Sequence, residues 1–122
     1  FLGFHSESAL ENIRNTAKAV CVPTLMYENA SLSVLESMSA GVPVIASDIG
    51  GLPELIQDGI SGFLAKPDSI ESWIEAFNQM ESFTPEQRTD LGQAARKHAE
   101  QNHSWQKHLD DLEKIYNTVV TS

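Results

Sequence analysis

The sequence is poor in cysteine and in basic residues. Cys21 is the single cysteine among 122 residues, so no disulfide can form within the chain. The 8 lysines and arginines against 17 acidic residues give a net charge of -9, which disfavours non-specific binding to nucleic acid or anionic lipid. Uncharged stretches such as residues 21–27 and 37–47 are shorter than the roughly 20 residues of a membrane-spanning helix. We therefore expect one cytoplasmic globular domain with an apolar core.

Several common motifs are also missing. The chain has no Walker A loop, no Gly-x-Gly-x-x-Gly and no Gly-x-Ser-x-Gly, which argues against P-loop nucleotide hydrolysis, a dinucleotide site and an esterase triad. His98, His103 and His108 are five residues apart, so on one helix they would point in different directions and could not share a metal ion. We expect them to be surface histidines.

Strand and helix patterns alternate over residues 1–67. Phe1-Leu2-Gly3-Phe4 lacks an initiator Met and is interpreted as the end of a strand, so we expect the chain to be a piece of a longer protein. Ser8 and Glu11 form a capping-box pattern that opens a helix. The predicted elements are that helix over about residues 9–18, a strand over 19–22, a helix over 32–40, a strand over 42–46, a short helix from Pro53 and a strand over 62–65. Their order predicts roughly four parallel strands in an α/β layer fold.

Residues 68–122 show helical patterns alone. Ile70, Trp73, Ile74 and Phe77 form an apolar stripe, and we expect Trp73 and Phe77 to be core residues. Thr84 and Gln87 form a capping box that opens a second helix. Ser104 caps a last helix with a large apolar face, which contains Trp105, Leu109, Leu112, Tyr116 and Val119.

Two acidic residues flank the start of the helix predicted at residues 32–40. Glu28 lies between a buried parallel strand and this helix, at the edge of the sheet where α/β folds bind ligands. Glu36 shares a helix face with leucines, where a carboxylate requires a partner. That partner is a ligand or a structural group such as a backbone amide or Lys, unless Glu36 simply lies at the edge of the stripe. The amides at residues 31–33 suit a phosphate, and the two carboxylates suit sugar hydroxyls. We expect both carboxylates to face one crevice.

Gly50-Gly51 lies between a strand and a helix and has two interpretations. A glycine pair there is typical of a tight turn with positive φ. It is also typical of a place where the backbone approaches a ligand closely, and the two can hold together.

The motifs occur in a characteristic order. Glu28, seven residues and Glu36 are followed by Ser39-Ala40-Gly41-Val42-Pro43, then Gly50-Gly51-Leu52-Pro53-Glu54, then Asp58-Gly59-Ile60-Ser61-Gly62. This order, over about residues 19–67, resembles the C-terminal nucleotide-sugar domain of GT-B glycosyltransferases of family 4, the group 1 glycosyltransferases. The resemblance implies a partial Rossmann-like parallel sheet followed by a helical C-terminus. Residues 1–122 would form a single domain, with the donor-site motifs in 1–67 and the C-terminal helices in 68–122.

The resemblance also implies a function. It implies a retaining transferase that moves a sugar from a nucleoside-diphosphate sugar, such as a UDP-sugar, to an acceptor hydroxyl with no metal or other cofactor. Glu28 would be the catalytic carboxylate at the transferred sugar, and Glu36 would bind the ribose. The remaining donor-binding residues would be Ser31, Leu32, Ser33, Gly50 and Gly51. Tyr27-Glu28-Asn29 is similar to members from bacterial surface-polysaccharide pathways.

Parts of the family's site have no counterpart here. The Arg and Lys that neutralise the diphosphate lie upstream in the family, and Arg14, Lys18 and Lys66 do not occupy their positions. We therefore expect the chain to be inactive without an N-terminal GT-B domain, and to self-associate through its last helix. The full-length parent would act in the cytoplasm, against the inner face of the membrane.

Two alternatives remain open. One is a GT-B relative such as a sugar-nucleotide epimerase, and the other is a non-catalytic α/β binding or interaction module.

Overall fold

The computed structural model describes residues 1–120 of the chain. They form a three-stranded parallel sheet in the order β1 (Val20–Val22), β2 (Val44–Ser47) and β3 (Phe63–Ala65). The helices are α1 (Glu7–Thr16), α2 (Leu32–Ser39), α3 (Leu52–Leu55), α4 (Ile70–Ser82), α5 (Pro85–Asn102) and α6 (Trp105–Val120). The predicted α/β class, with a parallel sheet and a helical C-terminus, is confirmed.

The central strand β2 has a core on each face. All four of its residues are buried, and alternate side chains point to opposite sides of the sheet. Val44 and Ala46 pack with residues of α2, α3 and α5, whereas Ile45 packs with residues of β3, α4 and α5. The largest fully buried side chain is Met38 of α2. The short apolar run therefore forms a strand covered by helices on both sides, as expected for a parallel sheet.

Two predictions for the N-terminal segment are wrong. The sheet has three strands rather than about four, because residues 1–6 form no strand. Gly3 has a φ of +75°, which interrupts extended backbone, and Phe1 and Phe4 are exposed. The helix α1 begins at Glu7, its N-cap is Ser6, and no side chain makes a cap hydrogen bond, so Ser8 is not the cap.

The helix caps nearer the C-terminus are as predicted. The Gln87 amide donates to the Thr84 hydroxyl over 3.2 Å, and the Gln87 side chain accepts from the Thr84 amide over 2.8 Å. The Lys107 amide donates to the Ser104 hydroxyl over 3.2 Å, which caps α6. These two pairs satisfy amides that would otherwise lack a partner at a helix start.

The apolar stripes of α4 and α6 lie largely on the surface. The prediction that Phe77 is a core residue is wrong, because the side chain is 48% exposed and α4 buries Ala76 and Met80 instead. Trp73 is partly buried against the same core. The helix α6 has no buried residue, so its predicted apolar face is present and uncovered.

Within residues 1–120, no helix combines the length and apolarity that crossing a bilayer requires.

Candidate functional site

The loops that follow β1 and β2 meet at the carboxyl edge of the sheet. The first loop carries Glu28, and the second carries Gly50 and Gly51. The Gly51 amide donates a hydrogen bond to the Glu28 carbonyl oxygen over 2.7 Å. Because β1 and β2 are neighbouring parallel strands, this bond joins two loops at the edge where α/β sheets bind ligands.

The glycine pair is packed directly against the backbone of the Glu28 loop. A Cβ atom on Gly51 would lie 2.1 Å from the Asn29 carbonyl oxygen, and one on Gly50 would lie 2.8 Å from the Glu28 carbonyl oxygen. Gly50 also has a φ of +61°, so it forms the turn that the sequence predicts. The backbone of this glycine pair therefore lies close to the Glu28 loop. Both glycines are needed to hold Glu28, which is half-buried, in its place.

The helix α2 begins directly after this loop. Ser31 is its N-cap and is buried, but the Ser31 side chain makes no cap hydrogen bond. The first turn contains no acidic residue, and the side chains of Leu32 and Ser33 are exposed. The leading amides of α2 therefore lack the partner that a side-chain cap would supply. These amides can donate hydrogen bonds to an anionic group, which the positive end of the helix dipole also favours.

Glu36 lies on α2, about one turn further along, and pairs with Arg14 at the end of α1. The Nη2 atom of Arg14 donates a hydrogen bond to Oε2 of Glu36 over 2.6 Å. The Arg14 side chain is 19% exposed and the Glu36 side chain is 54% exposed. The sequence predicts that this carboxylate has a partner but does not identify it. Arg14 and Glu36 are 22 positions apart, and the sequence between them carries no pattern that would reveal the pair.

A pocket of about 340 Å³ surrounds the Arg14–Glu36 pair. Its other lining residues are Glu7, Leu10 and Glu11 of α1. Glu28 does not line this pocket, so the expectation that both carboxylates face one crevice is not met: Glu28 lies with the glycine pair and Glu36 with α1. Three of the five lining residues are glutamates, whose carboxylate oxygens accept hydrogen bonds from hydroxyl groups and repel anions.

The histidines form a pair that the sequence did not predict. The rings of His98 and His103 lie 5.5 Å apart, and both are partly buried, with their Nε2 atoms lacking a partner within residues 1–120. Burial, and then the nearby His98, lower the pKa of His103 below its usual value. The expectation of surface histidines that point apart on one helix is wrong for this pair, because α5 ends at Asn102 and His103 lies beyond it. The described part of the chain has no cluster of three His, Cys, Asp or Glu side chains that could hold a metal ion.

Comparison with protein families and curated proteins gives a consistent result. The family model described as "Glycosyl transferases group 1" matches residues 1–98. D-inositol 3-phosphate glycosyltransferase of Saccharomonospora viridis is 35% identical over 113 residues, which are 93% of this chain and 26% of that protein. Spore coat protein SA of Bacillus subtilis is 35% identical over 82 residues, or 66% of this chain and 22% of that protein. The chain thus spans about a quarter of the length of the curated relatives that it matches.

Solved structures share the fold. Sucrose-phosphate synthase from Thermosynechococcus elongatus superposes with a TM-score of 0.83 at 25% identity, over 99% of this chain and 30% of that one. Anabaena HepE, in complex with UDP-glucose, superposes with a TM-score of 0.77 at 22% identity, over 100% of this chain and 32% of that one. HepE has also been solved in complex with UDP.

Proposed function

This chain belongs to the group 1 glycosyltransferases, and from that premise we propose that it forms the donor-binding part of a retaining family 4 enzyme. In the reaction, the bond between the sugar C1 and the diphosphate oxygen breaks, and C1 forms a new bond to an acceptor hydroxyl oxygen. The nucleoside diphosphate leaves with the electron pair of the broken bond and takes up the proton of the acceptor hydroxyl, and the configuration at C1 is retained. The acceptor belongs to a surface polysaccharide, and the reaction needs no metal ion.

The arrangement at the carboxyl edge of the sheet is the observation that carries this proposal. The start of α2, with its uncapped leading amides, directly follows the loop that holds Glu28. In the proposed complex, amides of Ser31, Leu32 and Ser33 bind the diphosphate of the donor. As the glycosidic bond breaks, the diphosphate gains negative charge, which these fixed dipoles stabilise better than water does.

The two carboxylates take the hydroxyl groups of the donor. Glu28 contacts the hydroxyls of the transferred sugar near C1, where an oxocarbenium-like transition state gains positive charge. Glu36 accepts hydrogen bonds from the ribose hydroxyls. Gly50 and Gly51 hold the Glu28 loop through backbone contact. A UDP-sugar is the donor that we favour, because HepE, which shares this fold, binds UDP and UDP-glucose.

The whole enzyme contains more than this chain. We propose that an N-terminal GT-B domain supplies the acceptor site together with the Arg and Lys that neutralise the diphosphate. The enzyme would act in the cytoplasm, against the inner face of the membrane. The exposed apolar face of α6, which includes Trp105, Leu109 and Tyr116, drives self-association of the isolated chain. Sedimentation velocity at rising concentration tests this last point, and a monomer throughout would contradict it.

Titration of the complete transferase with UDP and GDP tests the donor site. We expect Glu36→Ala to weaken UDP binding about 10- to 100-fold, the range for one hydrogen bond to a charged group. Glu81→Ala is the matched control, because Glu81 is also an exposed carboxylate in an ion pair, with Lys18 at 2.8 Å. Equal UDP affinity for wild type and Glu36→Ala would remove the ribose role.

Product analysis then separates the possible activities. A transferase attaches the sugar to the supplied acceptor and releases UDP in equal amount. Conversion of the donor sugar without any acceptor would point to an epimerase instead. No nucleotide binding by the complete protein would point to a non-catalytic module.

A further inference from the structure

The ion pair between α1 and α2 is unequal in its exposure. The Arg14 side chain is 19% exposed, whereas the Glu36 side chain is 54% exposed. Arg14 lies in the last turn of α1, where the negative end of the helix dipole favours a cation. The arginine is therefore the more confined partner, and the carboxylate is the group that gains a fixed position from the contact.

The hydrogen bond engages one side of the carboxylate. Arg14 donates to Oε2 of Glu36 over 2.6 Å, and within residues 1–120 no hydrogen bond reaches Oε1. A carboxylate oxygen has two lone pairs, so Oε1 remains able to accept hydrogen bonds from neighbouring hydroxyls. A charge-assisted bond from a planar guanidinium is among the more directional contacts in proteins. The contact thus leaves Glu36 ready for a ligand rather than occupied.

The charges around the pocket make Arg14 necessary for this geometry. Glu7 and Glu11 line the same pocket as Glu36, and Arg14 is the one cation in that lining. Without the arginine, the Glu36 carboxylate would face two like charges and could turn into solvent, since more than half of it is already exposed.

We propose that Arg14 is a positioning residue that holds the Glu36 carboxylate for recognition of the donor ribose. This inference rests on the proposed function of the site. Ion pairs near a protein surface add little to folding stability, and α1 buries none of its residues. The pair therefore acts mainly on the orientation of Glu36.

The test compares UDP with 2′,3′-dideoxy-UDP, which lacks both ribose hydroxyls, by calorimetric titration of the complete transferase. We expect Arg14→Gln to weaken UDP binding about 5- to 30-fold, less than Glu36→Ala because the carboxylate itself remains, and to leave the affinity for the dideoxy analogue unchanged. Arg14→Lys should restore part of the difference, because it keeps the charge with poorer directionality. Arg96→Gln is the matched control, since it breaks the exposed Arg96–Glu100 pair of 2.8 Å on α5.

Each outcome is decisive. Equal discrimination between UDP and the analogue in wild type and Arg14→Gln would overturn the positioning role. A loss of affinity for both ligands alike would indicate a purely structural role and would also overturn it, as would tighter UDP binding by the variant. Wild-type enzyme that does not distinguish UDP from the analogue would overturn the ribose site itself. If Arg14→Gln fails to fold by circular dichroism, Arg14→Lys carries the same comparison.

Discussion

Replacing Gly51 with alanine should loosen the part of the site that holds Glu28. The new Cβ atom would lie 2.1 Å from the Asn29 carbonyl oxygen and 2.9 Å from the Asn29 carbonyl carbon. These are backbone atoms, so no side-chain rotation can relieve the overlap. The loop of Glu28 must move away from the glycine turn, and the 2.7 Å hydrogen bond from Gly51 to Glu28 must lengthen.

The size of the effect follows from the kind of contact. Overpacking in a well-packed region costs about 1–3 kcal/mol, and we expect Gly51→Ala to lie near the upper end because one bond of the loop contact is lost as well. A φ of -84° at Gly51 suits alanine, so the backbone conformation adds no further cost. At about 4 °C per kcal/mol for a chain of this size, the melting temperature should fall by roughly 8–12 °C.

Gly59→Ala is the matched control for this experiment. Gly59 has a φ of +73°, but a Cβ atom there would have nothing within 4 Å. Its substitution therefore measures the conformational cost alone, about 1 kcal/mol. Urea denaturation of the 122-residue chain gives both free energies of unfolding. If Gly51→Ala is no less stable than Gly59→Ala, the backbone contact between the two loops does not exist as described.

Three further predictions concern the core, a helix cap and the histidine pair. Met38→Ala should lower the free energy of unfolding by about 2–5 kcal/mol, because Met38 is fully buried. Met26→Ala is the control and should change this free energy little, because Met26 is 71% exposed. Equal effects of the two substitutions in urea denaturation would contradict the assigned core. Thr84→Ala should cost about 1 kcal/mol in the same assay, since it removes the capping hydrogen bond of α5. The pKa of His103 is lower in the folded chain than in the unfolded chain, so the unfolded chain binds the proton more readily. The contribution of neutral His103 to the free energy of unfolding should therefore be fully present above pH 6.5 and decrease as the pH drops towards the folded-state pKa. Melting temperatures between pH 5 and 8 test this, and His103→Gln should flatten the dependence; an unchanged slope in that variant would contradict it.

The parts of the fold that could be predicted from the sequence are those set by neighbouring residues. The β-branched run at β2 and the capping pair of Thr84 and Gln87 each carry their own local signal. The stripe on α4 shows the limit of this reasoning. Ile70, Ile74 and Phe77 have helical spacing, but Trp73, Ala76 and Met80 do as well, and the sheet packs against the second set. Which face of α4 is buried depends on how the helix packs against the three-stranded sheet, and the spacing of apolar residues does not predict it.

The candidate site was predictable in its elements but not in its contacts. The position of Glu28 after a strand and of Glu36 on a helix follows from the pattern of the chain. The hydrogen bond from Gly51 to Glu28 and the ion pair of Arg14 with Glu36 join segments that are far apart in sequence. Such contacts depend on how strands pair and where helices end, so residues that act through them are the ones that sequence reasoning misses.

The charge balance of the site indicates which part of the proposed enzyme supplies the positive charge for the diphosphate. A nucleoside diphosphate is an anion, and the chain carries a net charge of -9 with two carboxylates near the proposed donor position. Arg14, the cation nearest to Glu36, is already paired with it. The chain can therefore offer dipoles to the diphosphate and acceptors to the hydroxyls, but little positive charge. In the proposed enzyme, cations of the N-terminal domain complete the diphosphate site, so we expect the chain alone to bind UDP more weakly than the complete transferase. The difference in affinity should narrow with added salt, which screens those cations.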